Sequence, residues 1–184
     1  MDDTAAFRRS SEAFVERARQ IGPDQWTAST PCAEWDVRAL VNHVAGEWLW
    51  VDELMAGRTI AEVGDRLNGD ILGADPMATL LRAQRAATSA FEDPGAMDRT
   101  VHLSFGDMPA SGYAKQMAVD GVIHSWDVAR AVGKGETLDP ELVQLAWDDL
   151  SEHAEEWRAG GAFAEAKEPA DDSLQAKLIA LTGR

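Results

Sequence analysis

The sequence predicts an all-α protein, an antiparallel bundle of four long helices with a short strand-and-turn insertion and extra helices at its C-terminal end. Three observations support this class. Apolar residues recur every three or four positions over most of the chain, only one segment alternates with the period of a strand, and short polar connections separate the helical segments. We see no internal repeat and no linker, so a single domain over residues 1–184 is expected.

Start and stop signals divide the chain into elements. Asp36 is the expected N-cap of the second helix and Gly57 its stop, while Asp75 caps the third helix and Pro76 takes its first position. The predicted elements are, in chain order, helices Thr4–Ile21, Val37–Ala56 and Asp75–Asp93, the strand Arg99–Phe105, the turn "GDMPASG", helices Ser111–Val132 and Leu138–Ala159, and a short helix within Asp171–Gly183.

Composition narrows the classes of partner. Asp and Glu total 32 against 17 Lys and Arg, a formal net charge of -15, and this surface repels phosphate backbones and anionic lipid. We therefore expect neither nucleic acid nor a membrane as a partner. No apolar run approaches the ~20 residues that cross a bilayer, and "MDDTAAFRRSSEAF" does not resemble a secretory signal. The single cysteine, Cys32, excludes an internal disulfide and a cysteine-rich zinc site, so the cytoplasm is the expected compartment.

The segment "DGVIHSWDVARA" combines apolar residues with a polar stripe. At about 100° per residue, Asp120, His124, Asp127 and Ala131 fall within one sector of a helix surface. A solvated face normally carries long Lys, Glu and Arg side chains, whereas short acids and an imidazole suit a ligand set. Asp120 and His124 are four residues apart, so both can reach one ion.

The second helix offers a third ligand. His43, in "VNHVAGEW", shares a face with Glu47 and Trp50. Facing helices of a bundle can aim side chains at one interior point, so His43, Asp120 and His124 form a candidate three-ligand metal site with an open coordination position. The spacing leaves an alternative open, in which each histidine is a core or boundary residue and each acid is a solvated neighbour or a helix cap.

Other residues near these motifs have weaker patterns. Asp127 could accept a hydrogen bond that fixes the tautomer of His124, or make a local helix contact. Glu47 could serve as a general base or an extra ligand, although a solvated glutamate fits its pattern better. Cys32 is interpreted as a packing residue, because nothing basic in "TPCAEW" would lower the pKa of its thiol. Four tryptophans are expected near the site, as core residues rather than as a ligand cage: Trp35, Trp48, Trp50 and Trp126.

Two longer motifs resemble a known family. "TPCAEWDVRALVNHVAG" (Thr30–Gly46) is similar to the hallmark of the DinB-like metal-binding proteins of actinobacteria, which include the N-terminal domain of mycothiol-dependent maleylpyruvate isomerase. "DGVIHSWDVARAVG" resembles the family's second signature, "VHLSFGDMPASG" its strand-and-turn insertion and "LIALTGR" its ending. The resemblance covers nearly the whole chain. It implies a divalent-metal site formed by His43, Asp120 and His124, with zinc as the expected ion and nickel as the alternative.

The resemblance also implies a chemistry. The family includes enzymes that use low-molecular-weight thiols such as mycothiol. The implied function is a metal-assisted thiol transferase or thiol-dependent isomerase, with a thiol and a small electrophile as partners. The alternatives are a non-enzymatic bundle that binds a metal or small ligand, and a purely structural bundle. A homodimer is an open alternative to a monomer.

Three departures from the isomerase pattern bear on this expectation. Asp120 stands where the isomerase has glutamate and many relatives have histidine, so its shorter reach leaves direct coordination open. No basic cluster near the motifs would bind the carboxylates of maleylpyruvate, since Arg130 is the nearest candidate and Arg82 and Arg85 lie on another helix. The resemblance is also expected to end where the isomerase continues into a second domain. Isomerisation of maleylpyruvate is therefore not implied.

Overall fold

Seven α-helices and one two-stranded hairpin make up the protein. The computed structural model describes residues 1–184. The elements are, in chain order, α1 (Asp3–Ala18), α2 (Val37–Met55), α3 (Ile60–Val63), α4 (Pro76–Glu92), β1 (Thr100–Leu103), β2 (Gly106–Pro109), α5 (Ala110–Ala131), α6 (Pro140–Ala159) and α7 (Leu174–Leu181). The predicted all-α class is confirmed. Periodicity did not predict α3, because a single turn is too short to show a period. No helix is both long and apolar enough to span a membrane.

Four long helices form the bundle. α1 packs against α4 and α5, and α2 packs against the same two helices, so each member touches two others. α6 packs against α5 from outside this set, and α7 packs against α6. The predicted four-helix bundle with extra C-terminal helices is therefore confirmed. α5 is buried over most of its circumference because α1, α2 and α6 all pack against it.

The helix ends follow the sequence signals. The carboxylate of Asp36 accepts a hydrogen bond from the N–H of Ala39 at 2.8 Å, and that of Asp75 accepts one from Ala78 at 3.0 Å. These side chains satisfy N–H groups that have no partner within the first turn of a helix. Beyond α2, Gly57 has a φ of 82°, which favours glycine and ends the helix. Local polar residues thus set the bounds of α2 and α4.

Aromatic side chains fill the interior of the bundle. The ring centroid of Phe7 lies 4.9 Å from that of Phe91 and 6.2 Å from that of Trp48, with the rings edge to face. Phe14 packs against Trp48 in the same way, and Phe91 against Tyr113. All five side chains are buried. Trp48 is therefore a core residue, as predicted, and it packs against the aromatic rings of α1.

The short strand-and-turn insertion is present as predicted, but its bounds differ from the predicted ones in two respects. β1 ends at Leu103 rather than at Phe105, and "GDMP", expected to be a turn, forms β2 antiparallel to β1. Asp107 and Pro109 do not favour strands, so β2 showed no strand pattern in the sequence. The strand forms through pairing with β1 across a turn at Ser104 and Phe105, and it begins at Gly106, whose φ of 134° favours glycine. Phe105 lies at the turn and is 68% exposed.

Candidate metal centre

The polar stripe of α5 meets α2 where these two helices pack together. α2 buries Val44 and Trp48, which leaves His43 at the edge of the buried face with 28% of its side chain exposed. On α5, the side chains of Asp120 and His124 are 26% and 7% exposed. The two imidazole rings lie nearly perpendicular, with centroids 5.2 Å apart. The predicted approach of the two histidines is therefore confirmed.

Both imidazoles direct the same nitrogen toward one carboxylate oxygen. Asp120 Oδ1 lies 3.6 Å from Nε2 of His43 and 3.3 Å from Nε2 of His124. One ligand atom from each residue lies within 4.8 Å of the other two. Ligand atoms about 2.1 Å from a tetrahedral zinc ion are separated by about 3.4 Å, which these two distances match. The donor set and its spacing thus fit a divalent ion.

Burial and close spacing shift the ionisation of the cluster. Burial lowers the pKa of His124, but the charge of Asp120 and hydrogen bonds with Asp120, Asp127 and Cys32 outweigh burial and raise that pKa well above its usual range. Burial raises the pKa of Asp120, but both histidines pull that pKa well below its usual range. The charged forms of His124 and Asp120 thus stabilise each other.

A buried acid holds the other nitrogen of the His124 ring. His124 Nδ1 lies 2.9 Å from Oδ2 of Asp127, whose side chain is fully buried. Burial raises the pKa of Asp127, but the hydrogen bond with His124 and the charge of Arg184 lower it below its usual range. An ionised carboxylate accepts the Nδ1 hydrogen and directs Nε2 away from itself. The structure thus has the predicted contact between Asp127 and the imidazole of His124, one turn apart on α5.

Cys32 also lies beside His124, and Arg184 contacts Cys32 and Asp127; the sequence predicted neither contact. Cys32 Sγ lies 3.3 Å from Asp127 Oδ2 and 4.0 Å from His124 Nδ1, and Arg184 Nη2 donates to this sulfur at 3.4 Å. Cys32 packs against the hydrophobic core, as predicted, and Arg184, 152 positions away along the chain, is a basic neighbour that the local sequence does not show. The "LTGR" ending was the only signal that could have placed Arg184 here.

Cys32, His124 and Asp127 are themselves close enough to share an ion. Arg184 contacts two of these three residues, and its guanidinium is buried against Asp127. A second positive charge at this position would be repelled by the guanidinium. The Nε2 side of His124, toward Asp120, is therefore the better place for a cation.

Trp35 and Glu47 lie against His43. The Trp35 ring centroid is 4.6 Å from that of His43 and 5.9 Å from that of His124, so this tryptophan is at the site as predicted. Glu47 Oε1 lies 4.0 Å from His43 Nδ1, and its side chain is 34% exposed. Burial, and then the charge of Asp120, raise the pKa of Glu47. Both residues border the part of the cluster that solvent reaches.

The remaining histidines and Arg130 make contacts elsewhere. His102 pairs with Asp107 across the hairpin at 2.8 Å, and Nδ1 of exposed His153 lies 2.8 Å from a backbone carbonyl within α6. Arg130 donates to Glu136 at 3.1 Å. None of these side chains belongs to the cluster of His43, Asp120 and His124.

Comparisons with known proteins agree with this fold. The structure is similar to the crystal structure of a histidine-to-alanine mutant of the mycothiol-dependent maleylpyruvate isomerase, with a TM-score of 0.68 and 15% identity over 89% of this chain and 73% of that chain. At this identity, the likeness concerns the fold. Two uncharacterized proteins of Mycobacterium tuberculosis, from strains CDC 1551 and H37Rv, are each 31% identical over 143 residues, or 78% of this chain and 74% of theirs.

A family model gives the assignment. The model is described as the mycothiol maleylpyruvate isomerase N-terminal domain, and it matches residues 7–129. That range holds all three candidate ligands and ends before Arg184. Because the match covers more than half of the chain, the protein belongs to the mycothiol maleylpyruvate isomerase N-terminal domain family.

Proposed function

We propose that the protein binds a divalent metal ion through His43, Asp120 and His124. With that ion and a low-molecular-weight thiol of the mycothiol type, it would transfer the thiol to a small electrophile or isomerise the electrophile. The convergence of two imidazole nitrogens on one carboxylate oxygen supports the metal site most directly. Zinc is the proposed ion because it accepts nitrogen and oxygen ligands at this spacing, and nickel is the alternative. Membership in the family supports a mycothiol-related function.

The uneven exposure of the cluster supports a reactive site over a purely structural one. His43 and Asp120 are partly exposed, whereas His124 is buried. Three ligands with one side toward solvent leave a coordination position for an added molecule. A metal ion there would supply Lewis acidity, which lowers the pKa of a thiol or polarises a carbonyl group. Trp35 would add an apolar wall for an organic thiol.

The arginines around the site do not favour a substrate with several carboxylates. Arg130 is paired with Glu136, and the guanidinium nitrogens of Arg184 already donate within the chain. Arg82 and Arg85 are exposed on α4. The proposal therefore concerns a small electrophile in general and does not extend to maleylpyruvate.

Zinc titration tests the metal site. Wild type, His43→Ala and His124→Ala are compared by calorimetry at pH 7.5, with His153→Ala as the matched control because His153 is an exposed histidine away from the cluster. We expect both cluster variants to lose tight binding while the control binds as wild type does. Unchanged affinity in both cluster variants would falsify the proposed site.

A thiol-consumption assay tests the chemistry. The zinc-loaded wild type and the same variants are mixed with a low-molecular-weight thiol and a model electrophile, and the loss of free thiol is followed. We expect consumption that requires both zinc and His43. Zinc binding without consumption across a panel of electrophiles would favour the non-enzymatic binding protein instead.

A further inference from the structure

Arg184 lies behind the candidate metal centre, separated from it by Asp127 and the His124 ring. Its guanidinium donates to both oxygens of Asp127, with Nε 3.0 Å from Oδ1 and Nη2 2.9 Å from Oδ2. Asp127 Oδ2 in turn lies 2.9 Å from Nδ1 of His124. The Asp127 side chain is fully buried and that of Arg184 is 8% exposed, so water has little access to these groups. The contacts connect Arg184 to one ring nitrogen of His124.

Arg184 is fully engaged within the chain. Besides its bonds to Asp127, it donates from Nη1 to the carbonyl of Thr182 at 3.1 Å and from Nη2 to Cys32 Sγ at 3.4 Å. The guanidinium also lies 5.9 Å from the ring centroid of Phe163. Each of its three nitrogens therefore has a partner in the protein. This arginine is poorly suited to bind a substrate, and its contacts indicate a role that acts through Asp127.

A backbone turn before Arg184 places the side chain of this arginine against α5. Gly183 has a φ of 78°, and a Cβ atom at this position would lie 2.8 Å from the backbone of Ala164. Both the conformation and the lack of space require glycine. The hydroxyl of Thr182 donates to the carbonyl of Ile179 at 2.8 Å, just past the end of α7. The "TGR" sequence thus ends a helix, turns, and inserts a guanidinium beside Asp127.

We propose that Arg184 is a positioning residue for His124. Arg184 fixes Asp127, Asp127 accepts the Nδ1 hydrogen of His124, and the ring is thereby held with Nε2 facing Asp120 and His43. A fixed partner at Nδ1 determines the tautomer and the ring orientation that a metal ligand needs. The consequence for metal binding rests on the function proposed above. The orientation of the ring itself is a property of the metal-free chain as well.

NMR of the metal-free protein labelled with 15N-histidine tests the positioning. The readout is the rate at which the Nδ1 hydrogen of His124 exchanges with water, with the signal assigned by its loss in His124→Gln. We expect slow exchange in wild type and fast exchange in Arg184→Ala. Gly183→Ala keeps the guanidinium but should displace it, so the same fast exchange is expected. Wild-type exchange in Arg184→Ala overturns the proposal.

The matched control is Arg158→Ala. Arg158 donates to the carbonyls of Ala164 and Leu181, so it anchors the same C-terminal segment without touching Asp127. We expect wild-type exchange at His124 in this variant. Fast exchange here as well would show that docking of the segment, and not the guanidinium, holds the ring. Arg184→Lys should exchange faster than wild type and more slowly than Arg184→Ala, because one ammonium cannot bond both oxygens of Asp127 equally well.

Zinc titration of the same variants separates the two proposals. We expect Arg184→Ala to bind zinc about 10–100-fold more weakly, as for other losses of an outer hydrogen-bond partner, and Arg184→Lys to recover part of this affinity. If wild type binds no zinc, the proposed function fails while the NMR comparison still decides the positioning. If Arg184→Ala does not fold, Arg184→Lys decides, and wild-type exchange in that variant overturns the proposal.

Discussion

The imidazole rings of His43 on α2 and His124 on α5 face each other with centroids 5.2 Å apart. Asp120 lies on α5, so neither helix alone presents all three candidate ligands. The cluster exists only when the two helices are packed together. An unfolded chain would not hold these donors at one point, so binding of the proposed metal ion should be coupled to folding.

Zinc should therefore stabilise the folded protein by mass action. At a free zinc concentration 100 times the Kd, the free energy of unfolding should rise by about 2.7 kcal/mol. The measurement is denaturant unfolding with zinc and with a chelator. His153→Ala should show the same increase and His43→Ala almost none. Equal increases in all three proteins would indicate zinc binding elsewhere.

Substitutions of Asp120 should reveal whether this shorter acid coordinates directly. Its Oδ1 atom faces Nε2 of both histidines, so we expect Asp120→Ala to weaken zinc binding by more than about tenfold, and His124→Ala to weaken it further. Asp120→Asn, which keeps the shape but loses the charge, should fall between wild type and Asp120→Ala. If calorimetry finds Asp120→Ala nearly unaffected, the site has two histidines and Glu47 or water completes it.

Cys32→Ser distinguishes the two groups of side chains that share His124. Cys32 lies on the Nδ1 side of the ring, next to Asp127 and Arg184, and away from the proposed ion. We therefore expect zinc affinity to stay within about threefold of wild type, a change of well under 1 kcal/mol. A large loss in the same calorimetric titration would place the ion at Cys32 and Asp127.

Zinc affinity should continue to rise with pH through neutrality. The unperturbed pKa of histidine, about 6.5, would place the loss of affinity mainly below that value. In the structure the pKa of His124 is well above its usual range, so a proton still competes with the metal at pH 7. The pKa of Asp120 is lowered, so protons do not compete with the metal for this carboxylate near neutral pH. Titrations at pH 5.5, 6.5, 7.5 and 8.5 test this, and a plateau from 6.5 upward would contradict it.

The metal-free protein should show the opposite dependence in its stability. A raised folded-state pKa for His124 gives a contribution that is fully present below its unfolded pKa of about 6.5 and is lost as pH rises through the folded value. The lowered pKa values of Asp120 and Asp127 give contributions present above about 3.9 and lost on acidification. The difference in unfolding free energy between wild type and His124→Gln, with chelator present, should therefore be largest between about pH 4 and 6.5.

The sequence was sufficient for most of the helices and for part of the site. Caps such as Asp36 are local, and the period of a helix places Asp120 and His124 on one face without any knowledge of tertiary structure. The strand β2 depends on pairing with a neighbour, so its own residues did not reveal it. Cys32 reaches His124, and Arg184 reaches Asp127, through turns whose paths depend on packing, and no local sequence pattern predicts such contacts.

The solvent-exposed side of the cluster is negatively charged. Asp120 and Glu47 lie beside His43, where solvent has access, while His124 is enclosed, and the whole chain carries a formal net charge of -15. A negative electrostatic potential speeds the diffusion of cations toward the exposed side of the cluster and slows that of anions. Metal ions and uncharged electrophiles should arrive faster than carboxylates of similar size. Salt weakens this preference, because the Debye length is only about 8 Å at 0.15 M. Discrimination between candidate ligands would then begin during their diffusional approach, before any bond to the site has formed.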